Sequence, residues 1–323
     1  MIRGAVFFGK HPVLVGDRLE TVITRRSLFL GALALPVSRV GRAQSAGEGG
    51  MLLSLHQNTS RGAGYQGSLE GWAQAGIRYV ELNDRLLDDF LRNESLQTAG
   101  RVLTDLGLTP VSAAAALPDL WLPGPDRNAS LEMWRKRCDQ FSALGLRRVY
   151  SPSVTTRPVT ADDFSATPDC IREVADVSSE YNLVAMIEFL RTSTHLATLT
   201  SALKVIREAA HPNIEPMIDF FHFWSGLSKL QDLDLLNHGE LGHAHFQDLL
   251  DTPRELIDNN SRLIPGDGIA PLVAIIQKLA QKGYVGALSV ELFRREWVQG
   301  DPFRVAAEIR RKSETVMRQA GVL

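Results

Sequence analysis

Eight short apolar runs, each separated from the next by a longer amphipathic stretch, set the terms on which this chain can fold. From Met51 onward they are Met51–Leu55, Ile77–Leu82, Leu108–Ala114, Arg147–Ser151, Leu183–Glu188, Ile214–Asp219, Leu241–Phe246 and Val285–Glu291. Their length and near-continuous apolar character suit strands covered on both faces. Helical patterns follow at Ser68–Ala75, Leu87–Leu106, Leu131–Leu144, Ala161–Tyr181, Leu199–Ala210, Leu227–Asn237, Ile269–Lys282 and Pro302–Arg318. Gly76, Gly107 and Gly145 stand where three of these patterns stop, as a left-handed helix terminus requires. Eight strand–helix units over about 270 residues, with no second composition regime, predict one α/β domain, a (β/α)8 or TIM barrel. A doubly wound open sheet is the rival. No glycine-rich phosphate loop follows any run, and Gly62-Ala63-Gly64 lacks the rest of such a fingerprint.

Residues 1–46 stand apart from this rhythm. Thr24-Arg25-Arg26-Ser27-Leu28-Phe29-Leu30 is a twin-arginine pattern, the apolar run continues to Val37, and small residues surround Ala43-Gln44-Ser45-Ala46. That order predicts an export signal read by the twin-arginine (Tat) machinery, a periplasmic location, and a barrel domain over residues 47–323. The apolar run is too short to span a bilayer and no Cys follows it, so no stable membrane anchor is expected. The 23 residues ahead of Thr24 are long for such a leader, which is compatible with a later start codon.

Charge narrows the partners. Of 35 Lys and Arg and 37 Asp and Glu, the leader takes seven and two, which leaves 28 against 35 and a net charge of −7. A mildly acidic body offers no footprint for a polyanion, and nucleic acid is excluded as a partner on that ground. Cys138 and Cys170 both fall in helical patterns, open to one disulfide after export or to two buried thiols. A homo-oligomer is compatible with the sequence, which does not decide it.

In a barrel of this kind the C-terminal ends of the strands line the site. Here the fifth run ends in Glu188, the sixth in Asp219, the seventh places His245 near its end, and the eighth ends in Glu291. Three buried carboxylates repel one another unless a cation joins them. With one imidazole they form an oxygen-rich set suited to one divalent cation, Mn²⁺ first, with Mg²⁺ or Co²⁺ as alternatives. His243 shares a face with His245 but lies deeper in the strand and reads as packing. Glu81 closes the second run and can hold a substrate hydroxyl. His56 follows the first, where a pocket-lining and a structural role are equally open. His195 and His211 lie near helix ends and read as surface or capping residues.

Five motifs carry a resemblance: Ile187-Glu188-Phe189, Ile218-Asp219-Phe220-Phe221-His222-Phe223, His245-Phe246-Gln247-Asp248, Arg262-Leu263-Ile264-Pro265-Gly266-Asp267-Gly268 and Ser289-Val290-Glu291. In these the chain resembles the xylose isomerase-like TIM barrel superfamily, in particular its sugar phosphate isomerase/epimerase branch. The resemblance implies that Glu188, Asp219, His245 and Glu291 bind one metal ion, and that Glu188 and Glu291 also exchange protons with a substrate carbon. It implies that His222 bonds a substrate oxygen, that Arg262 contacts a sugar hydroxyl or carbonyl, and that Asp248 orients the site from behind.

The expected activity is therefore that of a metal-dependent isomerase or epimerase on a sugar or keto-sugar, working through an enediolate. The near alternative is a lyase or dehydratase on an oxidised sugar such as a 3-keto-glycoside, which export favours. A non-catalytic periplasmic sugar-binding protein is the reading from another class. An endonuclease IV-like nuclease is disfavoured by the acidic body and by the single His245 at the seventh strand end. Leu117–Arg127 and Gln57–Gly67 are expected to shape specificity, and Phe223 and Trp224 either stack on a sugar ring or pack in the core.

Overall fold

The computed structural model describes residues 50–323. The expected leader, residues 1–46, lies outside the described residues. The barrel strands are β1 (Leu52–His56), β2 (Tyr79–Asn83), β3 (Thr109–Ala114), β4 (Arg148–Pro152), β5 (Val184–Glu188), β6 (Ile214–Asp219), β7 (His243–His245) and β10 (Ala287–Val290). All pair in parallel and close in the order β1-β10-β7-β6-β5-β4-β3-β2. The (β/α)8 reading of the eight apolar runs is thus the observed fold.

The helices are α1 (Gly64–Gln74), α2 (Asp84–Phe90), α3 (Leu96–Asp105), α4 (Arg127–Ala143), α5 (Ala161–Glu180), α6 (Leu199–Ala209), α7 (Phe220–Ser225), α8 (Leu272–Gln281), α9 (Arg295–Val298) and α10 (Pro302–Gln319). Their starts are written in the sequence. Thr160 and Asp163 form a reciprocal capping box on α5, and Thr198 with Ser201 does the same on α6. Gly107 and Gly145 carry φ of +63° and +85° at the ends of α3 and α4, which relieves the steric cost another residue would meet there. The main core lies between strands and helices, where Trp72, Trp134, Phe141, Ile276 and Ile309 are fully buried. Trp134 also donates its indole N–H to Ser178 Oγ at 2.9 Å, tying α4 to α5.

Two helical expectations changed. The single helix expected over Leu87–Leu106 is two, because Ser95 caps a fresh start at α3 by accepting from Thr98 N. The helix expected over Leu227–Asn237 is a 3-10 segment, Leu230–Leu235, while the true helix, α7, begins as soon as β6 ends. Its cap is Asp219, whose Oδ1 accepts from the N–H groups of Phe221 and His222 at 2.7 and 3.1 Å. The stretch Gln247–Asp267, between the seventh apolar run and the next helical pattern, contains an antiparallel ribbon of β8 (Asp248–Leu249) with β9 (Arg262–Leu263). Cys138 and Cys170 are free and buried.

His195 is not at the surface. It is 3% exposed, with Nε2 2.8 Å from Thr167 Oγ1, and burial pushes its pKa down to about 4. An unfolded histidine accepts a proton near 6.5, whereas the folded one does so near 4. Stability is therefore full above pH 6.5 and falls, by about 1.4 kcal/mol per pH unit from this group, as pH drops toward 4. His195→Gln is expected to flatten the decline of Tm between pH 6.5 and 4.5. Identical slopes in the two proteins would remove the assignment.

Candidate metal centre

Because strand side chains alternate, residues two apart share a face. Met186 and Glu188, Met217 and Asp219, His243 and His245, and Ser289 and Glu291 form four such pairs. Met186 and Met217 pack with Ala114 and Tyr150 in a separate apolar cluster. The second member of each pair reaches the C-terminal mouth, and one donor atom from each of Glu188, Asp219, His245 and Glu291 lies within 4.8 Å of all the others. His245 Nδ1 is 3.3 Å from Glu188 Oε1, 3.4 Å from Asp219 Oδ2 and 3.5 Å from Glu291 Oε2. Donors held about 2.1 Å from a tetrahedral ion stand about 3.4 Å apart, so the spacing fits a divalent cation. All four side chains are buried.

The surroundings fix each donor. Asp219 Oδ1 is occupied by the α7 cap and by Gln247 Nε2, which leaves Oδ2 to face His245. Asn58 Nδ2 donates to Glu291 Oε1 at 2.8 Å, which leaves Oε2 turned inward. His245 Nε2 lies 3.1 Å from Glu81 Oε1. Burial disfavours the charged ring, but Glu81, Glu291, Asp219 and Glu188 outweigh it and raise its pKa well above the usual imidazole value, so a bound cation would replace the proton on Nδ1. One potential donor atom from each of four groups thus converges on one point, and the three carboxylates among them call for positive charge.

Arg262 supplies part of that charge. Its Nη1 lies 3.0 Å from Asp219 Oδ2 and also bonds Glu291 Oε2, while Nη2 donates to His222 Nε2 at 3.0 Å. The guanidinium sits between the Phe221 and Phe293 rings, 4.5 and 4.8 Å from their centres. Asp248 anchors the ribbon that carries it, accepting from the N–H groups of Gly266, Gly268 and Ala270 at 3.0, 2.9 and 2.9 Å.

These neighbours pull the carboxylates apart. Burial pushes Glu188 up to about 7, with His245 opposing. Burial also raises Asp219 and Glu291, but Arg262 and nearby histidines outweigh it and hold both below the usual carboxylate range. Burial lowers His222 to about 4, so it is neutral and accepts the Arg262 N–H. Without a bound cation, the site therefore holds one carboxylate that titrates near neutrality and one that stays ionised.

A cavity of about 620 Å³ opens over this centre. Glu188, Glu291, His222 and Arg262 line it, while Asp219 and His245 are fully buried beside them. Glu81 and His56, expected to meet the substrate, do not line it. Glu81 is fully buried, its carboxylate engaged by His243 Nε2 at 2.8 Å and His245 Nε2 at 3.1 Å. His56 Nδ1 accepts from Asn58 N at 3.0 Å, and its Nε2 faces Tyr150 Oη at 3.2 Å. Asn58, Asn83, Tyr150 and Phe293, none of them among the expected site residues, do line the cavity. Strand parity marks Tyr150 and Asn83, which share faces with inward residues; nothing marks Asn58 or Phe293.

Glu81 stands where a carboxylate orients a metal-binding histidine. Glu81→Gln is expected to weaken divalent-ion binding by about 10–100-fold. Competition with a chromophoric chelator reads this, and an unchanged affinity would show that Glu81 serves only the barrel interior.

A family model described as xylose isomerase-like TIM barrel matches residues 69–317. The chain belongs to that family. Among curated members of related sequence, inosose isomerase of Bacillus licheniformis is 24% identical over 255 residues, 77% of this chain and 90% of that protein. Inosose isomerase of Bacillus subtilis is 24% identical over 173 residues, 53% of this chain and 62% of that protein. Solved xylose isomerase-like structures share the fold. An IolI protein with a bound zinc atom superposes with a TM-score of 0.78 at 20% identity, over 84% of this chain and 99% of that one. An L-ribulose 3-epimerase gives 0.69 at 18% identity, over 84% and 96%. The superfamily resemblance read from the five motifs is borne out.

Proposed function

We propose that the protein is a divalent-metal-dependent isomerase or epimerase acting on a sugar or keto-sugar through an enediolate. The observation that carries this is the convergence of His245 Nδ1 and three buried carboxylates at the end of the cavity that Arg262 and His222 also line. Relatives named inosose isomerase, and a ribulose 3-epimerase of the same fold, support it. The oxygen-rich donor set favours Mn²⁺, with Mg²⁺ or Co²⁺ next; the zinc atom of the IolI structure makes Zn²⁺ the rival to test.

The residues divide the work. Glu188 and Glu291 approach from β5 and β10, which are separated by β6 and β7 in the barrel. One takes the proton from the carbon beside the carbonyl. The other returns a proton at the opposite face, giving an epimer, or at the neighbouring carbon, giving an isomer. Arg262 presents N–H donors to substrate oxygens, and His222 faces the same cavity. A bound divalent cation would polarise the carbonyl and stabilise the negative charge of the enediolate.

The test is incubation of the metal-loaded protein with inosose and ketohexoses in D₂O. Deuterium gain at the α-carbon with an epimer or isomer as product is the expected result. An unsaturated product would instead identify a lyase, and sugar binding that survives chelation without exchange would identify a binding protein. The twin-arginine pattern supports export to the periplasm; Arg25→Lys with Arg26→Lys should then retain the protein in the cytoplasm, and unchanged fractionation would reject export.

A further inference from the structure

We propose that a second cavity, beside the first, binds an anionic group of the substrate, a carboxylate or phosphate monoester carried away from the reacting carbons. This rests on the reading above that a sugar occupies the main cavity. The second cavity has a volume of about 430 Å³ and is lined by Arg61, Asn260, Phe293, Arg295, Val298 and Gln299. It shares Arg61 and Phe293 with the main cavity, and Phe293 is the ring against which Arg262 lies. The two cavities therefore adjoin at Arg61 and Phe293, next to Arg262.

Its chemistry is one-sided. Two guanidiniums and two carboxamides line it, with no carboxylate. Among the described residues neither Arg61 nor Arg295 has an Asp or Glu oxygen within 4.0 Å. The adjacent Arg294, by contrast, pairs with Glu296 at 3.3 Å. Two unpaired like charges facing one space repel each other, and an anion there relieves that repulsion while accepting forked N–H bonds. A neutral polyol would find no carboxylate to accept its hydroxyl protons. The positive charge is gathered here although the chain beyond the leader is net acidic.

The segments that carry the two arginines also pack closely against each other, although both side chains are exposed. Arg61 belongs to the 3-10 segment Gln57–Ala63 and Arg295 opens α9. A Cβ at Gly62 would stand 2.6 Å from Val298 O and 2.7 Å from Gln299 Oε1, so the two elements meet almost backbone to backbone. Ligand ordering then costs less than at arginines on mobile loops.

The test is calorimetry on the metal-loaded full chain with a ketohexose, its 6-phosphate, its 6-carboxylate and inorganic phosphate. At low salt at least one anionic sugar is expected to bind about tenfold or more tightly than the neutral one, a margin that shrinks at high salt. Which anionic sugar gains more distinguishes phosphate from carboxylate. Arg61→Gln and Arg295→Gln should each cut the margin about fivefold, and Arg295→Glu should erase it. Matched melting temperatures would show that these variants fold. Equal binding of neutral and anionic sugars, failure of both anionic sugars to bind, or a margin untouched by Arg295→Glu overturns the proposal. So does binding of inorganic phosphate that no anionic sugar displaces, which would mean an adventitious ion only. Deuterium exchange on the neutral sugar is scored separately, so a failed isomerase reading and a failed anion site give different results.

Discussion

Glu188→Gln is expected to lower deuterium incorporation at the substrate α-carbon by about a thousandfold, within the range that a positioned acid–base group contributes. The substitution keeps an oxygen pointed at the metal centre but removes the carboxylate able to take a proton. Loss of proton transfer and loss of a ligand would look alike in an activity assay. Elemental analysis of the same sample separates them. Exchange within tenfold of the wild type, with metal still bound, would show that another group moves the proton. Glu291 is then the candidate, since Asn58 and Arg262 hold it ionised on the other side of the cavity.

Removing the ion should have the larger effect on the folded state. Binding at a thousandfold excess over Kd stabilises a protein by about 4 kcal/mol. For a domain of this size that corresponds to a fall in Tm of roughly 10 °C on chelation. Activity should vanish with it, and both should return on adding the correct cation. Reloading in parallel with Mn²⁺, Mg²⁺, Co²⁺ and Zn²⁺ ranks them by Tm and by turnover. An identical Tm with and without chelator would mean that Arg262 alone neutralises the carboxylates and that the cluster holds no ion.

The half of the site built on strand ends was legible because two simple periods met there. Alternation along a strand fixes which residues face inward, and closure of the barrel brings successive strand ends to one rim, so Glu188, Asp219, His245 and Glu291 could be placed together from the sequence. The same alternation put Glu81 on an inward face but could not say what stood opposite. Its carboxylate meets His243 and His245 across the barrel, from residues 162 and 164 positions away, and so lies outside the cavity. The split between α2 and α3 turns on Ser95, whose side chain caps α3 inside a helical pattern that continues on either side. Asn58, Arg61 and Phe293 lie in connections, where no period constrains direction and only the folded chain shows what they reach.

The ligand-bearing strands stand side by side, β5 next to β6, β6 next to β7 and β7 next to β10. An ion held by all four does more than chemistry. It cross-links the chain from Glu188 to Glu291, roughly a hundred residues, closing a loop that an unfolded chain must give up considerable freedom to form. The entropy thus recovered belongs to the C-terminal half of the barrel, while β1 to β4 carry none of the four ligands. Heating the metal-free protein should therefore loosen the two halves unequally, and the centre doubles as the fastening of the half that carries it.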